Sequence, residues 1–253
     1  MRVSVRLRSS APIYYLFSRQ PKYRNLRFRA GFTEVVIEGF PRSGNSWLFN
    51  VVQFLYPDLH IAHHMHSIVP IQMALRNRLP AYCLIRNPLD SIASFAAFIS
   101  ENGPRRKDSE HFERNIGQSI QQYLAFHSKL LGVFQSDRRN GIRLVQFDRI
   151  FSDRGVSAEE VDKVLMCLAS DFGQSDHFAG LENLMKEVKK RHEDYNAAHG
   201  IDLLQSVLPN AKKQELRLIV RNTIERSPAL FAKFECATQL FSSLTATGLH
   251  SDK

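Results

Sequence analysis

The chain has 253 residues, of which 43% are hydrophobic, and its 34 Lys and Arg residues outnumber its 25 Asp and Glu residues, which gives a formal net charge of +9. No apolar run approaches the roughly 18 residues that a transmembrane helix needs, so we expect no membrane span. The three cysteines are far apart and the chain has no Asn-X-Ser/Thr sequon. This pattern argues against a disulfide framework and a secretory lumen, and it predicts reduced thiols in a cytoplasmic protein.

The positive charge is concentrated in an N-terminal arm, residues 1–33, which has eight basic residues and no acidic one. The rest of the chain has 26 basic and 25 acidic residues, so charge does not predict a nucleic-acid-binding face on the domain itself. We interpret the arm as a solvated tail partly packed on the domain; contact with a membrane surface or nucleic acid, or an Arg-rich transit segment, stays open. Its apolar stretch, residues 11–17, has no small-residue cleavage site after it, so a signal peptide is not expected.

Strand-like and helix-like segments alternate from residue 34 onward. Short apolar runs rich in β-branched residues predict buried strands at 34–40, near 60–66, at 81–85 and at 142–147. Helical spacing of apolar residues predicts helices at 46–55, 67–78 (a helix or a partly helical crossover), 89–100, 109–135, 157–169, 178–194, 210–222 and 228–244. Ser157 with Glu160 forms a capping box, and Ser227 before Pro228 marks the start of the last helix.

This alternation predicts the fold class and the domain organisation. We expect an α/β fold with a central parallel sheet flanked by helices, P-loop NTPase-like, with a helical C-terminal part. No repeat or composition shift divides the chain after the arm, so residues 34–248 are predicted to form a single domain.

The most informative stretch is GFPRSGNS, residues 39–46, which is one substitution away from a phosphate-binding P-loop, G-x-x-x-x-G-K-[ST]. Gly39, Gly44 and Ser46 occupy the expected positions, but Asn45 stands where the lysine should be. The loop lies between a predicted strand and a predicted helix, which is the context a genuine P-loop needs. Backbone N–H groups and the helix N-terminus would still attract an anion there.

The missing lysine argues against an ATP site. That lysine reaches the β- and γ-phosphates in ATP-using P-loop enzymes, and here the nearest cation is Arg42, inside the loop. Asp148, after a predicted strand, is the only candidate for the acidic residue that would help to hold Mg²⁺. The loop is therefore predicted to hold a phosphate without a triphosphate and its metal.

Two motifs together resemble the sulfotransferase family. GFPRSGNSWL is similar to the loop with which that family binds the 5′-phosphosulfate group of 3′-phosphoadenylyl sulfate (PAPS). YCLIRNPLDSIASF resembles its 3′-phosphate signature, a strand ending in Arg-Asn-Pro, then an acidic residue, then a serine eight positions after the arginine. Arg86, Asp90 and Ser94 supply those positions, and Arg86 follows Arg42 by 44 residues.

The resemblance implies a role for each matching residue. PAPS would be the co-substrate and adenosine 3′,5′-bisphosphate the product, with Arg42 and the loop amides stabilising the leaving phosphate. The implied nucleotide-binding residues are Arg42, Ser43, Gly44, Asn45, Ser46, Trp47, Arg86 and Ser94. Trp47 would stack on the adenine, and Arg86 and Ser94 would hold the 3′-phosphate. Plainer alternatives are core packing for Trp47, an ion pair with Asp90 for Arg86, and a helix-surface hydroxyl for Ser94.

A histidine-rich segment lies between the two motifs. Many family members carry a base histidine in a Lys-X-His segment there, which implies that His66 is the base and that His64 replaces the lysine. On a strand, His64 and His66 would share one face and His63 would point away. A metal site formed by these residues with His60, or a histidine cluster without catalytic function, remains an alternative.

The resemblance weakens after residue 100. IRLVQFDRIF is similar to a later family strand that usually ends in Tyr-Glu-Asp, but only Asp148 matches. The Arg-Lys-Gly segment that completes the 3′-phosphate site in cytosolic members is absent. Basic residues that could replace it are Lys186, Lys189, Lys190, Arg191, Lys212 and Lys213. The acceptor pocket is expected from loops around 101–110 and 195–210.

These expectations define a sulfotransferase that moves a sulfuryl group from PAPS to a hydroxyl or amine of an unidentified small-molecule or carbohydrate acceptor. We expect no metal ion, no nucleic-acid partner for the domain and a cytoplasmic location. The alternatives are a divergent P-loop kinase that uses ATP and Mg²⁺ and a catalytically inactive nucleotide-binding module. A dedicated 3′-phosphate site would distinguish the sulfotransferase from the kinase, which has no need of one. Catalytic turnover would distinguish the sulfotransferase from the inactive nucleotide-binding module.

Overall fold

The computed structural model describes residues 10–101, 109–136, 141–152, 155–199 and 211–248. Its centre is a sheet of four parallel strands: β1 (Val35–Gly39), β2 (Ile61–His63), β3 (Ala81–Ile85) and β4 (Ile142–Gln146). The strand order is β2-β1-β3-β4. β5 (Phe151–Ser152) and β6 (Gly155–Val156) form a separate antiparallel pair. The predicted α/β fold with a central parallel sheet is therefore confirmed.

Helices connect the strands and continue after the sheet. Those before and within the sheet are α1 (Ala11–Ser18), α2 (Asn45–Leu55), α3 (Ile68–Arg76), α4 (Pro88–Glu101) and α5 (Ser109–Phe134). Those after β4 are α6 (Phe147–Ile150), α7 (Ala158–Phe172), α8 (Leu181–His199), α9 (Ala211–Arg226) and α10 (Pro228–Gly248). The helical C-terminal part is thus also confirmed. No helix in the described ranges is both long enough and apolar enough to cross a membrane.

The sheet is covered on both faces because successive residues of a strand point to opposite sides. Val36 and Cys83 belong to the core on one face, together with residues of α3, α4, α5, α9 and α10. Val35 and Tyr82 belong to the core on the other face, with residues of α2, α7 and α8. Every residue of β1 and β3 is buried, as expected for central strands of a parallel sheet. Each buried aliphatic side chain contributes about 1.5–3 kcal/mol relative to exposure, so these two cores dominate the stability.

The described part of the arm packs on the domain. Tyr14 and Phe17 of α1 form a small cluster with Met65 and Val69, and Phe28 is part of the main core. The Phe28 backbone N–H donates to the Tyr14 hydroxyl at 3.2 Å, which fixes α1 relative to the following turn.

One predicted strand is much shorter than expected. The segment near 60–66 is extended only over Ile61–His63, and the chain leaves the sheet at His64. His64 and His66 adopt left-handed backbone angles, with φ of 56° and 50°. Residues other than glycine rarely adopt these backbone angles, so other contacts must hold the segment in this conformation.

Candidate functional site

The predicted P-loop motif, residues 39–46, joins the end of β1 to the start of α2, and both of its glycines lie where a side chain would clash. Gly44 has φ of 95°, and a Cβ there would meet the Phe147 ring at 2.1 Å. A Cβ on Gly39 would meet the Leu84 carbonyl oxygen of the neighbouring strand at 2.5 Å. Arg42, with φ of 70°, is held in the same left-handed region, which is a strained position for an arginine.

Asn45, which replaces the lysine, is a structural part of the loop. Its amide nitrogen donates to the carbonyl oxygens of Gly39 at 3.3 Å and Phe40 at 3.2 Å, and the residue is buried. These bonds fasten the first turn of α2 to the end of β1. In the described conformation the amide group therefore supports the shape of the loop from within, and a bond to a phosphate stays a prediction.

The two sequence motifs meet at Arg42. Its Nε donates to the Ser94 hydroxyl at 3.0 Å, across 52 residues of sequence. Arg86 Nη1 donates to the Arg42 carbonyl oxygen at 3.2 Å. The structure thus brings Arg42, Arg86 and Ser94 together at the carboxyl ends of β1 and β3, where ligands bind in open α/β sheets.

Arg86 is also paired with two carboxylates. Its Nη2 lies 3.7 Å from Asp90 Oδ2 and its Nε lies 3.5 Å from Asp148 Oδ1. The Asn87 backbone N–H donates to Asp148 at 2.5 Å, and the Asn87 side-chain amide donates to Asp90 at 2.7 Å. The ion pair that the sequence left open for Arg86 is therefore present. Burial raises the pKa of Asp148, and the Arg86 guanidinium opposes that rise.

Arg217 is one of the residues near this site that sequence reasoning missed. It lies on α9, and its Nε is 2.6 Å from Asp90 Oδ1. Arg42, Arg86 and Arg217 make up an arginine cluster, with Asp90 and Asp148 as its acids. Guanidinium groups suit an anionic ligand, because their forked N–H donors match phosphate oxygens. The hydroxyl of Tyr123, also not predicted, donates to the Arg86 carbonyl oxygen at 2.9 Å and fixes the end of β3.

The basic residues that the sequence suggested for this role are exposed on α8 or have side chains outside the described part of the chain. Lys189 pairs with Glu193 at 3.8 Å and Arg191 pairs with Glu187 at 3.3 Å on the exposed surface of α8. Lys186 and Lys190 are exposed on the same helix. The side chains of Lys212 and Lys213 lie outside the described part of the chain, as do most residues of the predicted acceptor loops at 101–110 and 195–210.

The histidine segment is held by a buried acid that the sequence did not single out. Glu38, fully buried near the end of β1, accepts the backbone N–H of Met65 at 2.9 Å and of His66 at 2.8 Å. Burial raises the pKa of Glu38 to about 8, although the backbone donors act against the rise. The two hydrogen bonds to the Glu38 side chain hold the left-handed turns at His64 and His66. The prediction that the segment is a strand with alternating faces is therefore wrong beyond His63.

Two of the histidines interact with each other and with the P-loop helix. His64 Nε2 lies 2.9 Å from the Ser46 hydroxyl, and His64 Nδ1 contacts His63 Nδ1. His63 in turn stacks on Phe49, with 4.0 Å between the ring centres. Burial lowers the pKa of His64 to about 4, so its ring is neutral at physiological pH. Both ring nitrogens of His64 are thus occupied by contacts. Within the described residues no group of three or more ligand side chains could hold a metal ion.

His66 differs in its hydrogen bonding. Its Nδ1 lies 3.0 Å from the Gly39 carbonyl oxygen and 3.4 Å from the Asn45 side-chain nitrogen. In the tautomer with the proton on Nδ1, the ring donates to the carbonyl, which only accepts, and the lone pair is on Nε2. This is the tautomer that a general base oriented by a backbone carbonyl would have.

Trp47 is packed in the core next to the P-loop. It is 3% exposed and meets Phe151 edge to face, with 5.4 Å between the ring centres. Its indole nitrogen has no hydrogen-bond partner among the described residues. The arrangement corresponds to the core-packing alternative, and adenine stacking would require the ring to be uncovered first.

Comparison with known proteins adds no family assignment. A scan against protein-family models found no match, and a search of curated proteins found none either. The functional interpretation therefore depends on the residues of this chain and their geometry.

Proposed function

We propose that the protein is a sulfotransferase that transfers a sulfuryl group from PAPS to a hydroxyl or amine of a small-molecule or carbohydrate acceptor. The observation that supports this most is the meeting of Arg42, Arg86 and Ser94 at one edge of the sheet. A P-loop that lacks its lysine and adjoins a second group of cations suits a nucleotide with phosphates at two separate positions. Arginine guanidinium groups bind phosphate oxygens through paired hydrogen bonds.

A kinase is less well supported by the same residues. A P-loop kinase needs a carboxylate to help hold Mg²⁺, and Asp148 was the candidate. In the described structure Asp148 contacts Arg86 and accepts bonds from Asn87. A second group of arginine side chains next to the P-loop also has no function in a kinase, because ATP has no 3′-phosphate.

His66 is the proposed general base. The acceptor O–H or N–H would pass its proton to His66 Nε2 as the acceptor atom bonds to sulfur. The bond between sulfur and the bridging phosphate oxygen would break, and its electron pair would stay on the 5′-phosphate. Arg42 and the backbone amides of the P-loop would stabilise the charge that develops there. His64 is less suited to act as the base because both of its ring nitrogens are engaged.

Nucleotide preference is the first prediction that tests this proposal. Adenosine 3′,5′-bisphosphate should raise the melting temperature without added metal, because a ligand that binds only the folded state stabilises it by mass action. AMP, which lacks the 3′-phosphate, and ATP with Mg²⁺ should do much less. A thermal-shift series with the three nucleotides, with and without EDTA, measures this. A shift seen only with ATP and Mg²⁺ would overturn the sulfotransferase proposal in favour of a kinase.

A further inference from the structure

Helix α1 is apolar on both its inner and its outer side. Tyr14 and Phe17 face inward and are buried with Met65. Tyr15 and Leu16 face outward, and Leu16 is 74% exposed, the highest value among the exposed large hydrophobic side chains of the described residues. A helix that is apolar all round is normally covered on every side, so the outer side of α1 is suited to a further contact.

The residues after this outer side are basic. Arg19, Lys22 and Arg24 follow α1 directly, and all three are exposed. No Asp or Glu occurs between residues 1 and 33. The first acid after the arm, Glu34, is paired with His60 at 3.2 Å.

The helix against which α1 packs extends this basic character. The Tyr15 hydroxyl contacts the Met73 sulfur at 3.7 Å, which places the outer side of α1 beside α3. Arg76 lies one turn after Met73 and is exposed, and Arg78 follows it. The stretch from residue 59 to residue 89 contains no acid. In the described parts of these two segments, residues 10–33 and 59–89, Asp and Glu are absent and the exposed apolar side chains of Tyr15 and Leu16 have basic residues after them.

We infer that this membrane face (Tyr15, Leu16, Arg19, Lys22, Arg24, Arg76 and Arg78) binds the surface of a bilayer that contains anionic lipids. Leu16 inserts at the boundary of headgroups and acyl chains, and Tyr15 lies at the level of the headgroups. The surrounding cations meet the negative charge of the leaflet. Nucleic acid would bind the cations but provides no apolar environment for the Leu16 side chain. An anionic bilayer suits both the cations and the exposed apolar side chains. The binding is peripheral and does not depend on the proposed sulfotransferase activity.

Co-sedimentation of the full chain with lipid vesicles tests the inference. The protein should sediment with vesicles of phosphatidylcholine and phosphatidylserine, weakly with phosphatidylcholine alone, and less at high salt. Arg19→Glu with Lys22→Glu should weaken binding to the anionic vesicles by at least about fivefold for each cation removed. Equal binding to both vesicle types, or no effect of the charge reversal, would overturn the inference.

Leu16→Ser separates a bilayer from other anionic partners. It should weaken binding to the anionic vesicles by about tenfold, because the inserted side chain is lost. Leu218→Ser is the matched control, an exposed leucine on α9, 58% exposed, that lies outside the membrane face. Both leucines are exposed, so melting temperatures should stay unchanged. The inference would be overturned if the two variants lost the same amount of vesicle binding. It would also be overturned if the protein did not bind vesicles but bound a single-stranded oligonucleotide, and Leu16→Ser left that binding intact.

Discussion

At the scale of single residues, Arg86 belongs to two sets of interactions at once. It donates to the Arg42 carbonyl oxygen and is paired with Asp90 and Asp148. A guanidinium has five N–H donors in a fixed fork, so it can be oriented by carboxylates and still bind a phosphate. The acids would then position the arginine for its ligand instead of competing with it.

Replacing Arg86 should therefore remove specificity for the 3′-phosphate. Arg86→Ala is expected to weaken binding of adenosine 3′,5′-bisphosphate by about 2–3 kcal/mol, because a charge-assisted contact is lost. AMP should bind wild type and variant alike, so discrimination between the two nucleotides disappears. Titration calorimetry with both ligands measures this, and Ser94→Ala should cost only about 1 kcal/mol. Arg86→Lys is the control that keeps the positive charge but lacks the forked N–H donors of the guanidinium group. Undiminished discrimination by Arg86→Ala would mean that the 3′-phosphate binds elsewhere.

His66 is the residue whose loss should affect chemistry and not nucleotide binding. His66→Ala is expected to reduce turnover by about 10²- to 10⁴-fold, the usual contribution of a general base. Wild-type activity should fall toward acid pH, because a protonated imidazole cannot accept a proton. Single-turnover loss of the sulfuryl group from PAPS, to an added phenol or to water, measures the rate. Affinity for the product nucleotide should hardly change, and His60→Ala, an exposed histidine, should behave like wild type in both assays. Near-normal turnover of His66→Ala would mean that the base lies elsewhere.

At the scale of elements, the turn after β2 shows where sequence patterns fail. The pattern of apolar and polar residues along 60–66 suggested a strand. A left-handed turn is normally indicated by glycine, and this segment has none, so the sequence carried no sign of the turn. The turn depends on Glu38, which lies 27 and 28 residues before the two amides that it accepts. Such a contact between distant segments has no local signal. The strand and helix on either side of residues 40–44 were predictable, since the β-branched run before the loop and the helical spacing after it are local features.

Glu38 should make the stability depend on pH. Its pKa is about 8 in the folded chain against an ordinary value of 4.5, so the folded state holds a proton that the unfolded state has released. Stability should therefore decrease as pH rises from about 4.5 to 8, and one pKa unit corresponds to about 1.4 kcal/mol, so the change amounts to a few kcal/mol. Glu38→Gln should abolish this contribution, while Glu34→Gln, at an exposed acid of the same segment, should retain it. Urea unfolding at several pH values measures the slope, and equal slopes in wild type and Glu38→Gln would contradict the prediction.

At the scale of the whole molecule, the ion pair between Arg217 and Asp90 links the C-terminal helices to the candidate site. Strand and helix alternation predicted the sheet and its flanking helices, because apolar periodicity is a local property of the sequence. It could not select Arg217, since α9 contains several cations and only packing against α4 decides which one reaches Asp90. The contact couples the helical part of the chain to the carboxyl edge of the sheet.

Removing this contact should weaken both nucleotide binding and the attachment of the C-terminal helices. Without Arg217, Asp90 loses a partner that fixes its position and should orient Arg86 less well for a phosphate. Arg217→Ala is expected to reduce affinity for adenosine 3′,5′-bisphosphate by about 1 kcal/mol, a small value because Arg217 is partly exposed and the pair is screened by solvent. Unfolding free energy should fall by a similar amount. Arg221→Ala, an exposed arginine one turn further along α9, is the matched control and should change neither quantity. A double-mutant cycle with Asp90→Asn would show the coupling directly, and additive effects of the two substitutions would mean that Arg217 contributes nothing through Asp90.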